Sequence, residues 1–203
     1  MPLWLVRCGP GPARAEAAAQ SLLARTRPRA LLSCGFCGGL DPGARVAEVV
    51  VGSEAVSPEG EVLRADPALV ALALEAGARP GRILTVDRIV RFAADKQAAF
   101  RAHGARVVDM ETLALARAAA RQGVPWLAVR AVGDTADFDL PLDFEACQDS
   151  QGEVRVLPLA LASLGRPGRL PRLLRLARDT RRAGAALARF LAGFLDRLAR
   201  WPS

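Results

Sequence analysis

The sequence predicts a single α/β domain with a central sheet, mostly parallel or mixed, flanked by helices and followed by a basic helical tail. Three observations predict it. Short apolar, β-branched runs alternate with alanine-rich stretches from Leu3 to Val132. Glycine and proline punctuate the junctions between them. The stretch VVDMETLALARAAARQGVPWLAVRAVGDTAD (Val107 to Asp137) then reads as one strand–helix–strand unit, with Met110-Glu111 closing the first run and Asp134 the second. At 203 residues, one domain with a sizeable core is expected.

The elements follow in order. Leu3 to Cys8 reads as a strand. Gly9-Pro10-Gly11-Pro12 makes a tight turn, and Ala13 to Ala24 is a helix with Pro12 at its first position, where a missing N–H costs nothing. Ala30 to Cys34 is a second strand, ending in a glycine-rich loop, GFCGGLDPG. Val46 to Val51 is a third strand, and Ala55 to Ala65 is a loop or hairpin. Asp66-Pro67 starts a helix to about Ala76. Gly81 to Val86 is a strand, which Asp87 to Val90 either continues or turns away from. Ala93 to His103 is a helix, and Arg106 to Met110 is a short strand. Glu111 to Gln122 is rich in helix formers, and Gly123 with Pro125 stops it. Trp126 to Val132 is a strand that Gly133 breaks. Phe138 to Gln151 reads as a loop with a short helix, Val154 to Leu157 as a short apolar piece, and the rest after Pro158 as helical.

The two strands around Glu111 to Gln122 are expected to be parallel, joined by a right-handed crossover and, as neighbours, roughly 5 Å apart. Glu111 and Asp134 then both project from carboxyl ends of strands, where open α/β sheets bind ligands. A helix N-terminus favours the ionised form of Glu111, and an ionised carboxylate accepts hydrogen bonds from both hydroxyls of a ribose. Spacing alone leaves a plainer reading open, with Glu111 an acidic cap and Asp134 a turn residue.

Composition narrows the classes. No run of 18 apolar residues occurs, so no membrane-spanning helix is expected. The N-terminus carries neither a basic leader region nor an A-x-A cleavage site, and a cytoplasmic location is expected. Cys34 and Cys37 form a C-x-x-C, with Cys8 and Cys147 elsewhere. A zinc site would need two further ligands at similar spacing, and a thioredoxin-type motif would open a helix, whereas this one runs into Gly38-Gly39 and Asp41-Pro42. Reduced, packed thiols and no metal are the expectation. The G-P-G-P turn is a poor phosphate loop, because Pro10 and Pro12 lack N–H groups. Arg14 beside it either meets an anion or is solvated.

Three segments together carry a family resemblance. SCGFCGGLDPG (Ser33 to Gly43) resembles the GxAGGL loop of the nucleoside phosphorylases and nucleosidases, of purine and uridine phosphorylase type. VVDMET (Val107 to Thr112) resembles their ribose-binding V-(D/E)-M-E segment, and VRAVGDTAD (Val129 to Asp137) their V-R-A-x-S-D-x-A-D segment. Order and spacing fit, from about Leu5 to Pro141. GPGPARAEAA, GFCGGLDPG, DRIVRFAADK, VVDMET and RPGRLPRLLRLARDTRRA are most similar to the hopanoid-associated subgroup, the adenosylhopane nucleosidase/phosphorylases.

The resemblance implies a nucleoside phosphorylase-like fold and cleavage of the N-glycosidic bond of a 5′-modified adenosine, adenosylhopane in the subgroup, with release of adenine in hopanoid biosynthesis. It implies that Asp134 is the general acid that protonates the purine N7. Glu111 holds the ribose hydroxyls and, as an anion, stabilises the oxocarbenium-like transition state. Met110 packs against the sugar. Phe36, Cys37 and Gly38 line the base and ribose pocket, Ile89 and Val90 sit against the base, and Val108 lies nearby. Burial of Asp134 is expected to raise its pKa so that it carries the proton. No cofactor is implied, only phosphate as a candidate co-substrate, and a homodimer or larger assembly.

Two departures from the family pattern are expected to matter. Family chains open with a further strand bearing a Glu that activates water, whereas WLVRCGPG matches a later strand, so that segment is expected to be missing. The family's phosphate-binding Arg and Ser/Thr near the Gly-rich loop correspond to positions holding Ser33 and Phe36. Glu16, Arg14, Asp41 or Arg88 would have to substitute as activator of the nucleophile.

The tail is strongly basic. From Arg166 onward ten arginines face only Asp179 and Asp196, interleaved with leucine and phenylalanine. Residues 1–160 are expected to form the α/β domain and 161–203 a basic amphipathic extension. Two readings stand for it: adsorption to an anionic membrane, peripherally on the inner face of the cytoplasmic membrane, or packing of Ala183 to Leu198 on the core with solvated arginines. Nucleic acid is not an expected partner, because no aromatic interleaving or reader motif accompanies the charge. Beside the adenosylhopane reading stand a methylthioadenosine/S-adenosylhomocysteine-type nucleosidase and a non-catalytic, nucleoside-binding, membrane-associated remnant.

Overall fold

The computed structural model describes residues 3–141 and 170–200. Its strands are β1 (Leu31–Gly39), β2 (Val49–Val56), β3 (Val62–Arg64), β4 (Arg79–Thr85), β5 (Val107–Asp109) and β6 (Trp126–Asp134). Its helices are α1 (Pro12–Arg25), α2 (Pro67–Glu75), α3 (Ala93–His103), α4 (Thr112–Arg121) and α5 (Leu170–Leu198). The strands form one mixed sheet in the order β3-β2-β4-β5-β1-β6, and β6 also pairs back onto β2. Five strands thus close into a ring, with β3 outside it on β2. Pairs β1–β6, β2–β4 and β4–β5 are parallel, whereas β1–β5, β2–β3 and β2–β6 are antiparallel. The α/β fold with a mixed sheet is as the sequence predicts.

Local chemistry explains where the helices begin and end. Asp66 accepts from the N–H groups of Ala68 (2.9 Å) and Leu69 (3.0 Å), and Pro67 occupies the first turn, so α2 starts there. Phe92 precedes α3 and offers no capping side chain; Asp139, from the loop after β6, accepts from Ala93 N instead, at 2.7 Å. Gly104, left-handed at φ 59°, closes α3. The alanine-rich α4 buries Leu113, Ala114, Ala116, Ala118 and Ala119, packs on α1 and adds to the core around β2, β4 and β6.

Five expectations need correction. Leu3 to Cys8 is not a strand: Leu3, Trp4, Leu5 and Val6 are exposed, and the segment joins no ladder with any described strand. GFCGG is not a loop but the second half of β1. Its backbone is paired on both edges, to β6 and at Gly38–Gly39 to β5, and that pairing outweighs the poor strand propensity of glycine. The third strand starts at Val49 and runs to Val56, and Gly133 lies inside β6 rather than ending it. Finally, β5 and β6 are not parallel neighbours, because β1 lies between them, antiparallel to β5 and parallel to β6. Non-local pairing of β1 decides this, and no pattern within residues 107–137 carries that information.

Ala55 to Ala65 is a hairpin, and Asp87 to Val90 turns away from β4. The piece at Val154 to Leu157, most of the expected loop from Phe138 to Gln151, Cys147 and the boundary between residues 160 and 161 lie outside the described residues. Helix α5 packs along β6, and its Phe190, Phe194 and Leu198 belong to the main core, with the two phenyl rings stacked 5.5 Å apart. Its arginines at 172, 175, 178, 181, 182, 189 and 197 are exposed. No helix among the described residues is long and apolar enough to cross a membrane.

Candidate active site

The bent end of β1 brings the three motifs together. Gly38 stands opposite Val108 of β5 and Asp134 of β6, after a register shift between Cys37 and Gly38. A methyl group on Gly38 would lie 3.3 Å from Val108 Cγ1 and 3.4 Å from Asp134 Oδ2. Only hydrogen fits there without displacing a neighbour, so the carboxylate packs directly on the backbone of the Gly-rich segment.

Asp134 is nearly enclosed, with its side chain 14% exposed. Its Oδ2 pairs with Lys96, whose ammonium is wholly buried and also donates to Thr135 O (3.1 Å) and Phe138 O (2.8 Å). Among the described residues no donor reaches Oδ1. Burial pushes the Asp134 carboxyl above the usual range, and the Lys96 cation pulls it back only in part.

Lys96 is held in place by the segment that follows β6. Asp139 caps α3 at Ala93, Leu140 N donates to Arg91 O at 3.0 Å, and the lysine itself ties down Thr135 and Phe138. Beside this segment Arg172, Arg175 and Pro171 of α5 form a cleft of about 290 Å³ with Asp137, Phe138 and Asp139, and the Arg175 guanidinium lies 4.7 Å above the Phe138 ring.

Glu111 occupies the position before α4 but makes no capping bond. Asp109 caps α4 instead, accepting from Thr112 N at 3.1 Å. The Glu111 carboxylate turns to the G-P-G-P segment, where Gly11 N donates to Oε1 at 2.8 Å. Gly11 has φ 104°, a conformation reserved for glycine. Burial raises the Glu111 pKa, and the Gly11 N–H opposes this in part. The plainer reading of Glu111 as an acidic cap therefore does not describe it.

Beneath Glu111 lies a second buried ion pair. Asp109 Oδ2 accepts from Arg130 Nε at 2.7 Å, and its Oδ1 from Thr85 Oγ1 at 2.8 Å. Arg130 Nη2 reaches Ser33 Oγ and Thr112 Oγ1, both at 2.8 Å. Every polar group of this cluster is paired, and it joins β1, β4, β5, α4 and β6.

The remaining expected site residues are spread around the carboxylates. Met110 is half-buried between Asp109 and Glu111. Val90 packs in the same small cluster as Val108, Leu40 and Leu84, and Ile89 beside it is half-buried. Cys37 belongs to the main core, and burial pushes its thiol well up. Phe36 is half exposed and packs against Gly184 of α5, where an added methyl would lie 3.6 Å from its ring. Cys34 and Cys37, three apart in a strand, face opposite sides.

Sequence reasoning passed over Lys96, Arg130 and Asp109 as site residues. One signal was available for the first: Lys96 is the chain's single lysine, in a protein whose other basic side chains are arginines but for one histidine.

Residues 1–162 match the family model of the phosphorylase superfamily. The chain belongs to the phosphorylase superfamily. The expected enzyme class, a nucleosidase or nucleoside phosphorylase, agrees with that membership. The fold of this superfamily member is similar to that of S-adenosylhomocysteine nucleosidase from Streptococcus pyogenes in complex with 5-methylthiotubericidin, with a TM-score of 0.72 and 20% identity over 98% of this chain and 79% of that one. It is also similar to futalosine hydrolase of Helicobacter pylori strain 26695, with a TM-score of 0.69 and 18% identity over 92% and 76%. A third likeness is to 5′-methylthioadenosine/S-adenosylhomocysteine nucleosidase from Neisseria meningitidis in complex with methylthio-immucillin-A, at a TM-score of 0.66 and 21% identity over 92% and 78%. These are likenesses of fold.

Proposed function

We propose that this superfamily member cleaves the N-glycosidic bond of a 5′-modified adenosine, adenosylhopane in the first instance, and releases adenine. One observation carries the reading. Gly38 of the first motif lies so close to Val108 and Asp134 of the other two that a methyl added to it would stand 3.3 Å and 3.4 Å from their side chains, at one end of the sheet. Asp134 there has a raised pKa and an open Oδ1, as a general acid for a purine leaving group needs. In this reading Asp134 gives its proton to N7, the C1′–N9 electron pair leaves with the base, and water or phosphate captures C1′. Glu111 accepts from the ribose hydroxyls, with Met110 against the sugar.

The test is adenine release from 5′-substituted adenosines, with and without phosphate. A phosphate requirement would mark a phosphorylase, and turnover in its absence a nucleosidase. No adenine from any substrate in either condition would sink the enzyme reading and leave a nucleoside-binding protein. The ligands of the nucleosidases from S. pyogenes and N. meningitidis favour a second reading, in which methylthioadenosine or S-adenosylhomocysteine is the substrate. Relative kcat/KM for methylthioadenosine and adenosylhopane separates the two.

An anionic membrane surface is part of the first reading, because a hopanoid-bearing substrate resides in lipid. Leu170 and Leu174 are exposed on the first half of α5, among Arg172, Arg175, Arg178 and Arg181. Co-sedimentation with phosphatidylglycerol vesicles but not with phosphatidylcholine vesicles is the expected result. Equal recovery in both supernatants would remove the membrane from the reading.

A further inference from the structure

We propose that Lys96 is the positioning residue of Asp134: it holds one carboxylate oxygen, leaves the other for the departing base, and stabilises the anion that remains once the proton has been given up. This rests on the reading of Asp134 as the acid and deepens it.

The geometry makes the case. All three donors of the Lys96 ammonium are used: one on Asp134 Oδ2 and two on the main-chain carbonyls of Thr135 and Phe138. Those carbonyls belong to the residue next to Asp134 and to the turn beyond it, so the lysine fixes both the carboxylate and the backbone that carries it. The carboxylate cannot rotate without giving up a buried ion pair. Its Oδ2 is occupied, and Oδ1 is the oxygen that accepts nothing from the described residues. Asp109, the carboxylate of the other buried ion pair, has both oxygens satisfied.

The charge balance follows. Before the step, Asp134 carries a proton on Oδ1 and accepts from Lys96 through Oδ2. In the step the Oδ1–H bond breaks, the N7–H bond forms, and the electron pair stays on the carboxylate. Lys96 keeps its three protons throughout and ends beside a full negative charge. The same carboxylate buried without a cation would hold its proton too firmly to give it up.

The experiment compares Lys96→Met and Lys96→Arg with the unmodified chain, using adenine release from 5′-methylthioadenosine across pH, with melting curves alongside. Activity of the unmodified chain falls as pH rises through the Asp134 pKa, because the acid form is lost. Lys96→Met is expected to lower kcat by about 10- to 100-fold, within the roughly 100- to 10,000-fold that a general acid contributes. KM should stay nearly constant, and the alkaline limb should move to higher pH. Lys96→Arg keeps the cation and should leave the limb in place. Lys96→Gln, which retains a donor without the charge, gives the same limb shift if the Met variant does not fold. An unmoved limb, or a loss lying wholly in KM, overturns the proposal. Asp134→Asn separates the two levels: if it releases adenine at the full rate, the reading of Asp134 itself falls, whatever Lys96 does.

Discussion

Two buried cation–carboxylate pairs lie close together in this protein, and they are built differently. Arg130–Asp109 sits inside the ring of strands, where Thr85, Thr112 and Ser33 complete its hydrogen bonding. Lys96–Asp134 sits at the end of the sheet, with one carboxylate oxygen open and the aspartate in contact with the glycine-rich end of β1. The cations differ as well. Arginine presents a rigid planar fork of five donors, whereas lysine presents a compact ammonium with three. A carboxylate with both oxygens held is a joint; one with an oxygen left open and its pKa raised by burial is a place where a proton can be gained and lost.

The largest expected effect is on the joint. Asp109→Asn leaves the Arg130 guanidinium buried without its counter-ion, and breaking such a pair costs about 3–5 kcal/mol. Denaturant melts should show a loss of that order, or failure to fold. A loss below 1 kcal/mol would mean that water replaces the carboxylate and that the cluster is not closed. Asp134→Asn should behave the other way round. Stability should fall less, because Lys96 keeps its two carbonyl acceptors and the amide oxygen of the asparagine can still accept from it. Adenine release should fall by roughly 100- to 10,000-fold. If the two variants lose stability equally, the contrast between the pairs does not hold.

How legible this was in the sequence also differs between the two regions. Helix α3 falls on the predicted Ala93 to His103, and α2 starts at the predicted Asp66-Pro67, because caps, prolines and helix formers act within a few residues. Glu111 and Asp134 stood out because both close apolar runs. The continuation of β1 through GFCGG was not legible, since glycine argues against a strand and the partners that override it are distant in sequence. Nor was Lys96 as a partner of Asp134. Lysine is among the residues least often buried, and the groups that hold it inward, Asp134, Thr135 and Phe138, lie 38 to 42 positions away. The saturated pair lies inside the motif segments, Asp109 in VVDMET and Arg130 in VRAVGDTAD, but nothing in the spacing of the two segments pairs them.

A smaller effect probes how tightly the second pair is fitted. Gly38→Ala puts a methyl 3.3 Å from Val108 Cγ1 and 3.4 Å from Asp134 Oδ2. Overpacking of this kind costs about 1–3 kcal/mol, and here the strain falls on the carboxylate. The variant should lose more in kcat than its melting temperature suggests, with a displaced alkaline limb. A variant that melts lower but keeps an unchanged pH profile would show that Asp134 has room to move and that the glycine serves only the strand pairing.

The smallest effect concerns Glu111, a partly buried carboxylate met by the Gly11 N–H and, among the described residues, by no directly bonded cation. Its folded pKa is raised by burial, so the native state binds this proton more tightly than the unfolded chain does. Stability from this group is therefore fully present below the unfolded value, about pH 4.3, and is lost as pH rises through the folded one. Glu111→Gln removes that slope. It should melt above the unmodified chain at neutral pH, with the advantage gone at about pH 4, whereas Asp109→Asn should lose stability at neutral pH. A neutral-pH melting temperature at or below that of the unmodified chain would mean that the bond from Gly11 already offsets the burial. Otherwise Glu111 is an anion kept at a cost, and two ribose hydroxyls donating to it are the kind of ligand that would relieve it.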